Sequence, residues 1–353
     1  MKSLFESVKA GDLVLKNRLV MAPLTRCRAS GDDGRTPNDL MVEYYKQRAG
    51  AGLILTEATS VDPMGVGYPH TPGLWSEAHV SGWKKITDAV HESQGTIVAQ
   101  LWHVGRISDP IYLNGELPVA PSALKPSGRV SLVRPEKEYV TPRALETNEI
   151  KDVIQQYKNA AINAKKAGFD GIEIHGANGY LIDQFLQDGT NKRNDQYGGS
   201  IENRARLLLE IVDQCSEVFG YGRIGVHLAP RMDSHDMGDS NPRALFGYVA
   251  KELGKRKIAF IFTREHLADD SISDYIKDEF GGFFIRNEKL DPLSAETLIK
   301  ENRADAVSFG VLYIANPDLD VRLKNNYPLN PPNPQTFYAV GTTGYTDYPF
   351  YQK

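Results

Sequence analysis

Eight short apolar runs alternate with helical periodicity along this chain of 353 residues, and no other feature restricts its fold as strongly. Each run is rich in β-branched or aromatic residues and is bounded by Gly, Pro or charge, which is typical of strands buried on both faces. The runs begin at Arg18, Gly52, Thr96, Gly171, Ile224, Ile258, Gly282 and Ala306. Eight such units in a chain of this length predict an α/β fold, one closed (β/α)₈ TIM barrel over residues 1–353.

Helical patterns separate the runs. The first predicted helix starts at Asp39. The others span Ser76 to about Ser93, Thr147 to about Ala167, Ile201 to about Phe219, Ser271 to Phe280 and Ser294 to Asn302. Asn241-Pro242 and Asn316-Pro317 each have the form of an N-cap followed by Pro at the first helical position. A doubly wound open sheet is the rival fold, but no Gly-x-Gly-x-x-Gly follows the first run. The stretch from about Ser108 to Pro142 is rich in Pro, Gly and Ser and predicts a lid or small excursion after the third strand.

Composition narrows the class of protein. The formal charge of −4 and the pI near 6.1 favour neither nucleic acid nor an anionic membrane as a partner. The only cysteines, Cys27 and Cys215, form no Cys-x-x-Cys pair, so we expect neither a disulfide framework nor a thiolate zinc site. The sequence shows no apolar run of signal-peptide or membrane-span length, and we expect a cytoplasmic protein.

The segment from Gly168 to Tyr180 carries the clearest chemical signal. Its strand pattern breaks into a glycine-rich turn with His175, Asn178 and Tyr180. Two hydrogen-bond donors and a phenol at the carboxyl end of a strand can polarise an oxygen and deliver a proton, and such strand ends hold the active sites of parallel α/β proteins. The alternative reading is an ordinary capped turn with a surface tyrosine.

Other predicted strand ends favour a flat, polar heteroaromatic ligand. Gln100 can donate to and accept from an amide-imide edge, Thr25 can donate to a ring carbonyl, and Ala58 and Gly310 allow the backbone to come close. A core amide and a turn threonine are the structural alternatives. Several histidines near strand ends raise the possibility of a metal-dependent hydrolase, but they lack the close His-x-His or His-x-x-x-His spacing of such sites, so we predict no metal.

These residues belong to segments that resemble the Old Yellow Enzyme family of flavin-dependent ene-reductases. The matching segments are Met21–Arg26, His175–Leu186, Asn191–Arg204, Phe309-Gly310, Ile314–Leu319 and Gly344–Pro349. They occur in the family's order, and the His-Gly-Ala-Asn-Gly-Tyr motif followed by Tyr-Gly-Gly-Ser is highly specific.

The resemblance implies tightly but non-covalently bound FMN at the mouth of a (β/α)₈ barrel, with NADPH or NADH as reductant. It implies that His175 and Asn178 bind the carbonyl oxygen of an α,β-unsaturated substrate. Tyr180 then protonates the α-carbon while flavin N5 gives hydride to the β-carbon. The implied cofactor contacts are Pro23, Leu24, Thr25, Ala58, Gln100, His175, His227, Asn287, Glu288, Gly310 and Val311. The implied substrate-pocket residues are Tyr68, Trp102 and Tyr351.

Three positions depart from the commonest family form. Val311 stands where an arginine usually meets the FMN phosphate, Asn287–Leu290 replaces a glycine-rich turn, and His227 replaces an arginine near the flavin N1/O2 edge. We expect backbone N–H groups to cradle the phosphate, with Lys289 or Arg264 supplying the positive charge. His227, if cationic, would favour reduced, anionic flavin. The alternative function is a flavin-binding or regulatory barrel with a weakened phosphate site and little turnover.

Overall fold

The computed structural model describes residues 3–232 and 234–352, in which thirteen strands form. In chain order they are β1 (Val8–Ala10), β2 (Leu13–Leu15), β3 (Leu19–Met21), β4 (Leu53–Leu55), β5 (Thr59–Ser60), β6 (Ile97–Trp102), β7 (Val119–Ala120), β8 (Arg143–Ala144), β9 (Gly171–Gly176), β10 (Ile224–Leu228), β11 (Phe260–Arg264), β12 (Phe284–Asn287) and β13 (Ala306–Phe309).

Eight of these strands close into a parallel barrel. β13 pairs with β3, β3 with β4 and β4 with β6, and β6 continues through β9, β10, β11 and β12 back to β13. Every residue of β6, β9 and β10 is buried, as expected for strands that face side chains inside the barrel and helices outside it. The predicted (β/α)₈ fold is confirmed.

The antiparallel hairpin of β1 and β2 closes the amino-terminal end of the barrel. Leu13 and Leu15 pack in one buried cluster with barrel residues that include Phe260 and Phe262. This end of the barrel is therefore filled with apolar side chains. The polar side chains of the described barrel strands concentrate at the opposite end of the barrel, where the strands end.

Ten helices surround the barrel in the described part of the chain. They are α1 (Asp39–Gln47), α2 (Glu77–Glu92), α3 (Glu149–Lys166), α4 (Leu181–Leu186), α5 (Ile201–Phe219), α6 (Pro242–Arg256), α7 (Ser273–Phe280), α8 (Pro292–Lys300), α9 (Val311–Ala315) and α10 (Leu319–Asn325). None of these helices is long and apolar enough to cross a membrane.

The two Asn-Pro pairs behave differently. Asn241 caps α6 as predicted, because its side chain accepts from the backbone N–H of Ala244 at 3.1 Å and Pro242 is the first helical residue. Asn316 instead follows the end of α9, and α10 begins only at Leu319. The Asn316 side chain is used elsewhere, since its oxygen accepts from the backbone N–H of Asn330 at 2.7 Å. The predicted cap at Asn316 is therefore wrong.

The predicted excursion after the third barrel strand leads over the carboxyl end of the barrel. Val130 and Tyr139, which come from it, are buried in one apolar cluster with Ala58 and Trp102. Ser127 of the same segment donates to the carboxylate of Asp236, in the loop after β10. The excursion therefore covers part of the face where polar side chains concentrate.

The carboxyl-terminal segment is anchored to the barrel by the ring of Tyr345. This ring stacks on Tyr44 with a centroid separation of 4.0 Å and an angle of 4°, and the guanidinium of Arg28 lies 4.5 Å above it. Arg26 donates to the carbonyl of Gly344 at 2.8 Å. Stacking and cation–π contact thus hold this segment against α1.

We expect the ring of Tyr345, rather than its hydroxyl, to stabilise the attachment of the carboxyl-terminal segment to the barrel. The ring is fully buried, whereas its hydroxyl oxygen has no hydrogen-bond partner among residues 3–232 and 234–352. Tyr345→Ala should lower the free energy of unfolding by about 3–5 kcal/mol through loss of a large buried ring. Tyr345→Phe should change it by less than about 1 kcal/mol, because no hydrogen bond is lost. Urea denaturation of both variants checks this, and equal losses would contradict it.

Candidate active site

A cavity of about 440 Å³ lies at the carboxyl ends of the barrel strands. Its lining is Ala22, Pro23, Leu24, Asn178, His227, Phe262, Arg264, Asn287, Glu288, Lys289, Leu290, Ser308, Phe309, Gly310, Val311, Leu312 and Tyr338. These residues follow or end β3 and β9 through β13. The closed parallel sheet places them at one end of the barrel although they are far apart in sequence.

Two histidines stack at this end because of the register between β9 and β10. His175 and His227 occupy paired positions on the two strands, and their rings lie 5.0 Å apart at 16°. Burial lowers the pKa of His175 to about 3, with a smaller contribution from the positive charge of Arg264. Burial likewise lowers the pKa of His227 well below its ordinary value, with further contributions from His175 and Arg264. Both rings are therefore neutral near pH 7, so the condition that His227 be cationic is not met.

The backbone selects the tautomer of His175. The backbone N–H of Ala177 donates to His175 Nδ1 at 3.3 Å. Nδ1 is thus the acceptor of the neutral ring, and Nε2 carries the proton. His175 can therefore offer an N–H donor to a ligand without carrying a charge.

A buried amide network sets the tautomer of His227. Gln100 Nε2 donates to Glu173 Oε2 at 2.7 Å and lies 3.2 Å from His227 Nδ1. Because the amide nitrogen has two hydrogens, it can serve both acceptors, which leaves the proton of His227 on Nε2. His227 Nε2 is buried and has no partner in the described part of the chain, although His227 lines the cavity. A ligand with an acceptor edge would satisfy it.

Glu173, the third member of this network, is predominantly protonated at pH 7. Its side chain is fully buried, and burial raises its pKa to about 8, opposed by the hydrogen bond from Gln100. Its second oxygen, Oε1, has no partner among the described residues. The floor of the site is therefore built from polar groups that are predominantly neutral at pH 7.

Tyr180 stands where three aromatic rings converge. Its ring lies 5.1 Å from His175 and 5.0 Å from Trp102, both nearly perpendicular, and its hydroxyl lies 2.8 Å from that of Tyr68. Burial raises its pKa well above 10, assisted by Tyr68. The phenol is thus protonated at neutral pH and can act as a proton donor. Ala58 packs in the same cluster as Trp102, Tyr68 and Tyr180.

Asn178 is held in position by its backbone and by an arginine. Its φ of +59° is left-handed, a conformation that Asn tolerates better than most residues. Its side-chain oxygen accepts from Arg264 Nη1 at 3.1 Å, so the amide N–H groups remain free to face a ligand. The sequence offered no signal for this contact, because residues 178 and 264 meet only through the closure of the barrel.

The loop after β12 takes an unusual backbone conformation for its composition. Glu288 has φ +101° and Lys289 has φ +53°, a region that favours glycine. Glu288 forms an ion pair with Arg264, which already binds Asn178. Lys289 forms no ion pair in the described part of the chain and lines the cavity. Of the two residues predicted to supply positive charge, Arg264 is already paired with a carboxylate, and Lys289 is therefore the better candidate to bind an anion.

The opposite rim is made by glycine and short side chains. A Cβ at Gly310 would lie 3.3 Å from the side chain of Leu24, so a larger residue would narrow the cavity here. Val311 begins α9 and is 43% exposed. The amide of Asn287 donates to the carbonyl of Ser308 at 3.0 Å, whereas the buried hydroxyl of Ser308 has no partner among the described residues.

Thr25 and Tyr351 belong neither to the cavity lining nor to the clusters around His227 and Tyr180. Thr25 is half-buried at the edge of the cavity, and its side chain makes no hydrogen bond within the described ranges. Tyr351, predicted for the substrate pocket, is not among the residues that line this cavity. Its ring stacks on Tyr327 at 3.9 Å and its backbone N–H donates to Asp318, next to α10 on the outer layer. Tyr338, which the sequence analysis missed, lines the cavity instead.

The donor set fits FMN better than a metal ion. His227 Nε2 and Ser308 Oγ are buried polar atoms of cavity-lining residues that find no partner in the described protein, and an acceptor-rich heteroaromatic cofactor would supply one. The described residues contain no group of three or more His, Cys, Asp or Glu side chains arranged to hold a metal ion. The described residues therefore provide no set of metal ligands for the metal-dependent hydrolase alternative.

Comparison with known proteins gives a consistent family. Residues 3–330 match the family described as NADH:flavin oxidoreductase / NADH oxidase. A "Probable flavin mononucleotide-dependent alkene reductase" of Leishmania infantum is 42% identical over 353 aligned positions, covering 96% of this chain and 95% of that protein.

Solved structures agree with this result over nearly the whole chain. An old yellow enzyme homologue from Zymomonas mobilis has a TM-score of 0.96 and 42% identity, with 99% of each chain covered. Morphinone reductase in complex with tetrahydroNAD also has a TM-score of 0.96, with 45% identity over 100% of this chain and 98% of that one.

The raised pKa of Glu173 predicts a pH-dependent stability. The folded state binds this proton more tightly than the unfolded chain, whose pKa is near the ordinary 4.5, so the free energy of unfolding should fall between about pH 4.5 and 8. Glu173→Gln keeps an acceptor for Gln100 and removes the titration. The difference in free energy of unfolding, variant minus parent, should therefore be larger at pH 8 than at pH 5. The increase should be roughly 1.4 kcal/mol per unit of pKa shift.

Urea denaturation of both proteins at the two pH values measures this difference. Glu92→Gln, on the exposed face of α2, is the control and should give the same stability change at both pH values. A Glu173→Gln effect that is also identical at pH 5 and pH 8 would show that Glu173 does not titrate differently on folding.

Proposed function

Because the chain belongs to the NADH:flavin oxidoreductase / NADH oxidase family, we propose that it reduces the C=C bond of α,β-unsaturated carbonyl compounds and other activated alkenes. NADPH or NADH is the proposed reductant, and the whole chain is proposed to act as one catalytic domain. The observation that carries the proposal is the protonated phenol of Tyr180 beside the neutral donors His175 and Asn178. The family, the barrel and the dependence on FMN agree with the prediction from sequence.

FMN, when bound, supplies the hydride that adds to the β-carbon of the alkene. We propose that Gln100 and His227 contact the polar edge of its ring, supported by the Nε2 proton that the amide network fixes on His227. Pro23, Leu24 and Gly310 line the same cavity and admit a flat ring. Thr25 is proposed as a further donor to it. At the phosphate end we propose Asn287, Glu288, Val311 and Lys289, with Lys289 providing the charge.

His175 and Asn178 are proposed to bind the carbonyl oxygen of the substrate. His175 offers Nε2–H, because its Nδ1 is occupied by the Ala177 N–H, and Asn178 offers its amide N–H groups, because Arg264 occupies its oxygen. Two donors aimed at this oxygen stabilise the negative charge that develops on it when the β-carbon is attacked. Removing one such donor typically costs about 10²–10³ in rate.

Tyr180 is proposed to protonate the α-carbon. Desolvation raises the pKa of the phenol well above 10 and so keeps the group protonated. The rings of Tyr68 and Trp102 are proposed to enclose the substrate, because they pack with Tyr180 in one apolar cluster beneath Val130 and Tyr139 of the excursion. The substrates are therefore small molecules with an apolar body and one polar oxygen.

A flavin-binding barrel with little turnover is the second candidate. The observation that favours it is the pairing of Glu288 with Arg264, which places a carboxylate in the cavity lining where Val311 leaves the phosphate without an arginine. We also propose that the protein works in a reducing compartment such as the cytoplasm, supported by two buried, unpaired cysteines, Cys27 and Cys215.

Tyr180→Phe should separate the two halves of the catalytic cycle. We expect the oxidation of the reduced protein by 2-cyclohexenone to slow by about 10²–10⁴, the usual contribution of a positioned acid. Reduction by NADPH or NADH should stay within about threefold, since no proton from Tyr180 is needed there. Stopped-flow absorbance measures each half-reaction. Tyr345→Phe, which also removes a buried hydroxyl, is the control, and an unchanged enone step in Tyr180→Phe would refute the role of Tyr180.

Lys289 should contribute to FMN affinity through its charge. Lys289→Met should raise the Kd for FMN about 10- to 100-fold, as expected for loss of one charged hydrogen bond, whereas Lys289→Arg should retain most of the affinity. Quenching of FMN fluorescence on titration into the apoprotein measures both. If the Met variant binds as tightly as the parent, the phosphate depends on backbone groups alone.

A further inference from the structure

Each turnover of the proposed reaction leaves Tyr180 without its proton, and the surroundings of Tyr180 restrict how it can be replaced. The side chain lies within an apolar cluster that includes Ala58 and Trp102. Its hydroxyl makes one hydrogen bond in the described part of the chain, to the hydroxyl of Tyr68 at 2.8 Å. Within the described protein, Tyr68 is therefore the hydrogen-bonded group that can pass a proton to Tyr180.

Neither neighbouring histidine offers another route. The ring of His175 is perpendicular to that of Tyr180, and its Nδ1 is bound to the Ala177 N–H. The ring centroid of His235 lies 6.2 Å from that of Tyr180, and its Nδ1 faces the carbonyl of Asn178 at 3.4 Å. Burial also lowers the pKa of both histidines, so neither is in the protonated, cationic form near pH 7.

Tyr68 connects Tyr180 to the excursion. It belongs to the loop after β5 and, like Tyr180, is half-buried. From the excursion, the half-buried Ser131 interacts with Tyr68 and with Tyr139 and favours the ionised form of each phenol. Ser131 therefore offers a half-buried hydroxyl beside both phenols.

We propose that Tyr68 is the proton-relay residue that reprotonates Tyr180, receiving its own proton from solvent at Ser131. This inference rests on the proposed function, since it takes Tyr180 as the acid. The O–H bond of Tyr180 breaks as the C–H bond at the α-carbon forms. The phenolate oxygen then takes the proton of Tyr68, and Tyr68 takes one from water. The net result is one solvent proton consumed for each alkene reduced, and no redox change occurs on either tyrosine.

The direction of transfer agrees with the environment of the two phenols. Burial raises the pKa of both, but their mutual hydrogen bond raises that of Tyr180 and lowers that of Tyr68. The hydrogen bond between the two oxygens gives an ionised Tyr180 direct access to the proton of Tyr68. The short distance between the oxygens allows direct transfer.

Tyr68→Phe keeps the aromatic ring and removes the relay. In the FMN-loaded protein we expect the first oxidation of reduced enzyme by 2-cyclohexenone to proceed within about threefold of the parent rate, because Tyr180 starts protonated. Steady-state turnover should then fall about 10-fold or more below the slower of the two separately measured half-reactions. Its solvent deuterium isotope effect should rise, whereas that of the first turnover should not.

Tyr112→Phe is the matched control. Its hydroxyl donates to the carbonyl of Ser131 at 2.9 Å and makes no contact with Tyr180, so turnover and isotope effect should be unchanged. Ser131→Ala, a change in a surface loop, tests the outer end of the route independently of whether Tyr68→Phe folds. It should raise the steady-state isotope effect in the same direction.

The outcomes separate the relay from the proposed function. If Tyr180→Phe slows the enone step but Tyr68→Phe turns over as fast as its slower half-reaction, or Ser131→Ala leaves the isotope effect unchanged, the relay is wrong and the role of Tyr180 stands. If Tyr180→Phe itself has no effect on the enone step, the proposed function fails first. A loss in Tyr112→Phe equal to that in Tyr68→Phe would assign both effects to the packing of the excursion.

Discussion

The pairing of His175 with His227 across β9 and β10 is the contact on which the rest of the site depends. The register of two parallel strands places both rings at one level, where they stack and where burial keeps both neutral. Gln100 reaches His227 from β6 because β6 also pairs with β9, where Glu173 lies beside it. A shift of one residue in either register would move these side chains to the outer face of the barrel.

Neutral donors, rather than charges, characterise this site. Burial keeps both histidines neutral and Tyr180 protonated, so the substrate oxygen meets donors whose positive ends are fixed before it arrives. Such preorganisation lowers the reorganisation needed as charge develops. Arg264 contributes in two ways, by orienting the amide of Asn178 and by helping to depress the pKa of both histidines. Its ion pair with Glu288 keeps it at the edge of the cavity.

Local signals in the sequence were sufficient for the barrel and for much of the site. The buried strands β6 and β9 were recognised from short runs rich in Ile, Val and Leu, and α5 begins and ends where its pattern predicts. The glycine-rich turn after β9 revealed His175, Asn178 and Tyr180, which the structure brings together with Tyr68 and Trp102.

The remaining features depend on contacts between distant segments. The bond from Arg264 to Asn178 joins residues 86 positions apart, and no local pattern encodes it. The neutrality of His227 follows from burial that only the closed barrel produces. Tyr338 lines the cavity, whereas Tyr351, which follows the anchor at Tyr345, stacks on Tyr327. No local pattern in the sequence distinguishes these two tyrosines.

The visible absorption spectrum of the purified protein, recorded anaerobically before and after reduction, tests the central claim most directly. The account predicts a flavin spectrum that bleaches on addition of NADPH or NADH and returns on addition of 2-cyclohexenone. A protein that stays colourless after FMN is added would contradict the assigned cofactor site. A reduced flavin that the enone fails to reoxidise would contradict the proposed reaction.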